Sequence, residues 1–306
     1  MTTPKSEDLL PIQFKSAQEF QKRAKYQPSL ICETSQLDRI VGKYTFTKAE
    51  QLECGLNGCR TRHWNGWVIK TKEGKETHCG KDCGEREFGV LFTEIEAKYK
   101  AAEERQSRRN RLEELANARD SILTAAKGLY EQVSGAGNLI NDVVNEIKRD
   151  SGLERVFQAC VRSDGRILVE DEDSKRLRAA MGAKTGKADL KQIGLIKGLS
   201  VVTSQFTIAQ ELKYRVILPL QELTTENLNT LSDRELGSKT QQFSQLQQTL
   251  SSARQFLAAF QQFSSPANGK AFTLLEHGVP KNSRTGRVGR ILTRIERLYG
   301  EPTAVA

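Results

Sequence analysis

The fold class that the sequence predicts is α+β and mainly α, and three observations carry that expectation. Four cysteines fall in two pairs between positions 54 and 83, with strand-forming residues between the pairs, which calls for a small metal-held finger. Two long stretches, 90–126 and 232–263, repeat apolar residues at helical spacing without a proline. A third region, 151–223, breaks into short apolar runs separated by turn residues, the mark of small β elements. The expected order is a zinc-finger region (1–89), a long helical hairpin (90–150), a small α/β segment (151–223) and a C-terminal helical region with a basic tail helix (224–306).

Composition narrows the class further. The 306 residues carry 47 Lys and Arg against 38 Asp and Glu, a net charge of +9. Hydrophobic residues make up 37% against 28% charged, which predicts thin helical layers more than one large core. No apolar run is long enough to span a bilayer, so no membrane partner is expected. The first residues lack the basic and apolar regions of a secretory signal. Cys32 and Cys160 are single and distant from the pairs. A reducing cytoplasm is the expected compartment.

In chain order, residues 12–27 read as a short helix punctuated by Phe14, Phe20 and Tyr26, and Pro28 ends it. Leu30, Ile31, Leu37, Ile40 and Val41 are expected to cover the finger, because a small metal site buries little surface alone. Four residues separate Cys54 from Cys59, three separate Cys79 from Cys83, and nineteen lie between the pairs. Thiolates so placed suit a tetrahedral Zn²⁺ ion with bonds of about 2.3 Å. The interval contains Trp64, Trp67, Val68 and Ile69 as strand formers and Lys72-Glu73-Gly74-Lys75 as a turn, and helix-forming residues follow from Glu85. Knuckle, hairpin, second knuckle and helix is the layout of a treble-clef-like zinc finger. Two disulfides or four unrelated buried thiols are the alternatives, and a cytosolic chain disfavours the first. His63 and His78 are reserve ligands, and His78 cannot easily share one ion with its neighbour Cys79.

The run Thr77, Gly80, Cys83, Gly84 and then Phe88-Gly89 also resembles a group of uncharacterised zinc-finger-like proteins of bacteriophages and prophages. In these a cysteine knuckle precedes a hairpin ending in Thr-x-x-Gly-x-x-Cys-Gly, followed by an aromatic residue and glycine. The resemblance extends over a third of the chain and implies no established activity. The position of Cys79 is not always cysteine in that group, so the fourth ligand stays open between Cys79 and a histidine.

Beyond the finger, residues 90–126 read as one helix whose middle, 98–111, is polar all round, a solvated stretch with local Glu–Arg pairs. Gly135 and Gly137 are expected to break the next helix, with Asn138 as N-cap of a returning arm. Val156-Phe157 and Ile167-Leu168-Val169 read as strands of a hairpin about Ser163-Asp164-Gly165. The acids at 170–173 suit a helix N-terminus. The segment 181–189 fails as a phosphate-binding loop, since only three residues separate its glycines and Ala188 stands where a hydroxyl should bind magnesium. Val201, Val202, Phe206, Ile208, Val216, Ile217 and Leu218 read as further strands closed by Pro219. Ser232 to Glu235 forms a capping box for the 232–263 helix, and Ser264-Ser265-Pro266 stops it. A short helix then runs through Phe272, Leu274 and Leu275. In 281–299, Arg284, Arg287, Arg290, Arg294 and Arg297 recur at steps of three or four beside Val288, Ile291, Ile295 and Leu298.

These features point to a non-enzymatic zinc protein that binds DNA or RNA through phosphates. Arg60, Arg62, Lys70, Lys72 and Lys75 around the finger would act with the C-terminal arginines, and Trp64 or Trp67 could stack on an unpaired base while at least one of them packs the hairpin. The zinc would be structural, since four protein ligands leave no open position. A zinc-capped scaffold for a host or phage protein, dimerising through long coiled-coil helices, is the competing class. A nuclease is disfavoured, because only three histidines exist to serve a hydrolytic metal.

Overall fold

The computed structural model describes residues 11–181, 189–228, 230–279, 288–291 and 293, and for residues 172, 175, 205 and 206 the backbone alone. Helix accounts for 63% and strand for 16%, so the protein is α+β and mainly α. The chain divides into two compact units, 1–114 with 228–237 and 115–227 with 238–306. No helix among the described residues is long and apolar enough to cross a membrane.

The first unit is built on a four-stranded sheet. Its strands are β1 (Ile12–Phe14), β2 (Leu37–Thr45), β5 (Asn65–Thr71) and β6 (Glu76–Cys79), in the order β1-β2-β5-β6. β1 runs parallel to β2, and the remaining neighbours are antiparallel. A small ladder, β3 (Leu52–Glu53) with β4 (Arg62–His63), flanks the first cysteine pair. The expected hairpin is present: Lys72 to Lys75 joins β5 to β6, closed by Thr71 and Lys75 at 2.9 Å. The helix expected at 12–27 is confined to α1 (Ala17–Gln21), because the apolar Ile12–Phe14 segment is recruited into the sheet as β1.

Alternation along the strands sends successive side chains to opposite faces. Trp67, Ile69 and Cys79 join one core with Cys54, Cys83, Leu37, Leu56, Phe88 and Phe92. Val68 faces the other way, into Phe14, Phe20 and Tyr44. Leu30, Leu37 and Ile40 are buried over the finger as expected, whereas Ile31 is 87% exposed.

Helix α2 (Lys81–Phe88) begins before Glu85, so Cys83 sits in its first turn instead of ahead of it. Helix α3 (Val90–Asn117) buries Phe92, Ile95, Glu96 and Tyr99 and then turns polar. Its middle carries the expected local pairs, Arg108 to Glu104 at 3.1 Å and Arg109 to Glu113 at 2.9 Å. The pattern read as one helix over 90–126 is interrupted at Ala118, and α4 (Arg119–Lys148) follows.

The second unit corrects several expectations. Helix α4 runs through Gly135 and Gly137, so no hairpin turns there and Asn138 caps nothing; the apolar face of Val133, Ala136, Ile140 and Val143 holds it together. Val156 and Phe157 belong to α5 (Ser151–Arg162), capped by Asp150 at 3.0 Å to Gly152 and Leu153. Strand β7 (Arg166–Glu170) pairs instead with β8 (Leu190–Leu195). Asp171 caps α6 (Glu172–Ala180), so the acidic run does open a helix.

The residues read as strands at 201–218 form α7 (Val201–Glu211), a π-helical segment (Leu212–Ile217) and α8 (Leu218–Glu222), with α9 (Thr225–Leu228) beyond. Helix α10 (Asp233–Phe243) starts at the expected box, Ser232 N–H to Glu235 at 2.8 Å. It yields at Ser244 and Gln245 to α11 (Leu246–Phe263), so the 232–263 pattern is two helices. Pro266 opens α12 (Pro266–Leu274), as the stop signal implied. The segment 182–188, most of the failed phosphate loop, lies outside the described residues.

Candidate metal centre and basic surface

The metal-ligand candidates converge beneath the hairpin. Cys54 directly follows β3, and its N–H donates to the Thr61 carbonyl at 2.9 Å while Cys59 N–H donates to the Leu56 carbonyl at 2.7 Å, which folds 54–61 into a tight knuckle. Asn57 and Gly58 take φ values of 45° and 70°, a left-handed pair that asparagine and glycine tolerate best. Asn57 also ties the knuckle down, bonding both the N–H and the carbonyl of Cys32 and the Glu87 carboxylate. Cys83 is delivered by the first turn of α2.

The Sγ atoms of Cys54, Cys59 and Cys83 all lie within 4.8 Å of one another, and this is the one group of three or more metal donors among the described residues. Cys59 and Cys83 are 3.6 Å apart. Two sulfurs bonded at about 2.3 Å to one tetrahedral ion stand roughly 3.8 Å apart, so the spacing fits a metal and is far too long for a disulfide. All six cysteines are free thiols, which disposes of the disulfide alternative. Cys79 is fully buried and faces the same core, but its sulfur is not within that radius of all three.

The thiols differ sharply in environment. Burial pushes Cys54 up to about 12 and Cys79 well above the ordinary thiol value, with neighbouring thiols adding to the penalty. The half-exposed Cys59 is lowered to about 6, first by the Thr61 hydroxyl 3.3 Å away and then by the Arg86 guanidinium. Arg86 was not among the residues singled out from sequence. Its position one helical turn beyond Cys83 was the available signal, since residues three apart share a helix face.

His63 and His78 do not join the thiols. Strand alternation sends His78 to the face opposite Cys79, into the aromatic layer, and burial lowers both imidazoles, His78 to about 4.

The basic residues are divided. Arg60 and Arg62 flank the knuckle, and Arg62 meets Glu53 at 3.2 Å. Lys72 and Lys75 stand exposed at the hairpin turn, with Lys75 2.8 Å from Glu73, and Lys70 is half-buried just before it. Six residue steps along β5 separate these ends, about 20 Å at 3.3 Å per residue. Trp64 is half-buried with Lys48 Nζ 5.6 Å from its ring centroid, while Trp67 is buried against Tyr99. Arg290 is exposed and 3.9 Å from Glu146, with Val288 and Ile291 buried beside it. Arg284, Arg287, Arg294 and Arg297 lie outside the described residues, as do Ile295 and Leu298.

No family model matches this chain, and neither a curated protein nor a solved structure does.

Proposed function

We propose that this chain is a non-enzymatic, zinc-stabilised module that binds nucleic acid through its phosphates, of the phage type that the 77–89 segment resembles. The observation that carries the reading is the convergence of the Cys54, Cys59 and Cys83 sulfurs between a knuckle and the first turn of a helix, which supports a treble-clef-like finger. Cys79, buried in the same core though outside the radius that joins the other three sulfurs, would have to close on the ion as the fourth donor. Four protein ligands leave no position for a reactive water, so the ion serves folding and not hydrolysis. Arg60 and Arg62 beside the knuckle and Lys72 and Lys75 at the hairpin turn are exposed, and the pairs Arg62–Glu53 and Lys75–Glu73 are of the surface kind worth about 0–1 kcal/mol. A phosphate can therefore displace the carboxylates.

The test is anisotropy of labelled DNA and RNA oligonucleotides at about 50 mM salt, followed by a salt titration, in which each duplex phosphate contact contributes a slope of about 0.9 in log–log form. Failure of the wild-type protein to bind either nucleic acid overturns this reading. The scaffold reading then takes its place. Its specific support is Ile31, which stands exposed beside a cleft lined by Ser29, Cys32, Glu33, Asn57 and Glu87.

A further inference from the structure

On the sheet face opposite the cysteines, His63 and His78 sit in an aromatic box. They are 8% and 4% exposed, and their ring centroids lie 5.8 Å apart at 66°. Tyr44 lies 6.0 and 6.1 Å from the two imidazoles, and Phe20 is 5.4 Å from His78. A tyrosine hydroxyl holds each Nδ1, Tyr44 on His63 at 2.7 Å and Tyr26 on His78 at 2.9 Å. Both Nε2 atoms are buried and have no hydrogen-bond partner. A buried polar atom left unpaired costs about 1–3 kcal/mol, and folded proteins leave few of them. Two such atoms on adjacent rings call for a shared ligand that the polypeptide does not supply.

From this geometry we infer that His63 and His78 form a second metal site, distinct from the cysteine centre, which takes a monovalent, low-coordinate ion of the Cu(I) type through both Nε2 atoms. The number of donors selects the ion. Zinc and calcium take four or more ligands, and among the described residues no third His, Cys, Asp or Glu donor completes a group here. Closed-shell Cu(I) accepts two donors in a line, and imidazole suits copper. A ring radius of about 1 Å added to a metal–nitrogen bond of about 2 Å puts each centroid roughly 3 Å from the ion. With each Nε2 turned to the ion, two rings on opposite sides would stand about 6 Å apart, and the ring centroids here are 5.8 Å apart.

Charge selects the same way. The walls are aromatic, and Glu76 at the border is already taken up by Arg23 at 2.6 and 3.1 Å. Desolvating a monovalent ion costs about a quarter of what a divalent ion of equal size costs, because Born energy scales with the square of charge. The tyrosines act as positioning residues, fixing ring orientation as outer-shell partners do for metal-bound histidines.

The test uses the full chain as purified, with its zinc content recorded, titrated anaerobically with Cu(I) against bicinchoninate. X-ray absorption at the copper edge then reports the donors. The expected result is one Cu(I) per chain with two nitrogen donors, no sulfur donors and no zinc released. His63→Gln and His78→Gln should each weaken uptake at least about 100-fold, and Tyr44→Phe by about 10–100-fold. Copper found on sulfur, or expelling zinc, overturns the inference, as does a wild type that takes no copper from the competitor. In that last case the two nitrogens share a buried water. The wild-type spectrum decides between these outcomes whether or not the variants fold.

Discussion

At Gly84 the structure has no room for a methyl group: a Cβ there would stand 2.4 Å from the Phe92 ring. The close contact seats the first turn of α3 on α2 and so braces Cys83 one residue earlier. Gly84→Ala is expected to cost about 1–3 kcal/mol, the range for overpacking a filled core, and thermal unfolding of the metal-loaded protein measures it. Cys83→Ser should remove zinc binding, because it takes one corner from the sulfur trio. Metal analysis of the purified variant checks this, and a full equivalent of zinc would exclude Cys83 as a ligand. The cysteines were legible in the sequence because their spacing is itself the chemistry. Arg86, Thr61 and the two tyrosines on the histidines were not, because each acts through a partner that only folding brings near.

At the scale of elements, packing overrode local preference. Val201, Val202, Val216 and Ile217 have the β-branched character of strands, yet Leu212, Val216 and Leu220 are buried at intervals of four along the π-helical segment and α8. Intrinsic propensities amount to tenths of a kcal/mol per residue, and burial of a leucine or isoleucine outweighs that several times over. The glycines at 135 and 137 were overruled likewise. Gly135 is exposed within α4 with open space where a Cβ would go. Gly135→Ala should therefore stabilise the protein by about 0.5–1 kcal/mol, the cost of glycine in a helix interior. Urea titration gives the number, and destabilisation would argue for the turn that the sequence suggested.

For the whole molecule, the division into two units separates metal from the rest of the fold. The cysteine centre belongs to the first unit, and among the described residues the second holds no comparable donor group. Chelation should open residues 50–90 to protease within the first unit while the helices of the second keep their protection, since metal binding and local folding are coupled. Mass spectrometry of the cleavage products tests this, and cuts spread evenly through α4, α7 and α11 would refute it. Binding should respond to charge at both ends of the hairpin. Replacing Arg60, Lys72 and Lys75 together by Gln should lower the salt slope for duplex DNA by up to roughly three contacts. Circular dichroism and zinc content should stay unchanged.

By itself the sequence determined the mainly helical class, the hairpin with its turn at 72–75, the capping box at Ser232 and the stop before Pro266. Each of these is written in neighbouring residues, where spacing and turn chemistry act over a few positions. Tertiary structure alone decided that Ile12–Phe14 joins the sheet, that 201–222 is helical and that α4 runs unbroken. It also decided that His78 turns away from the cysteine-lined core that its neighbour Cys79 joins. Those outcomes depend on which surfaces bury one another across tens to hundreds of residues, and burial there outweighs the local preferences that a reading along the chain can weigh.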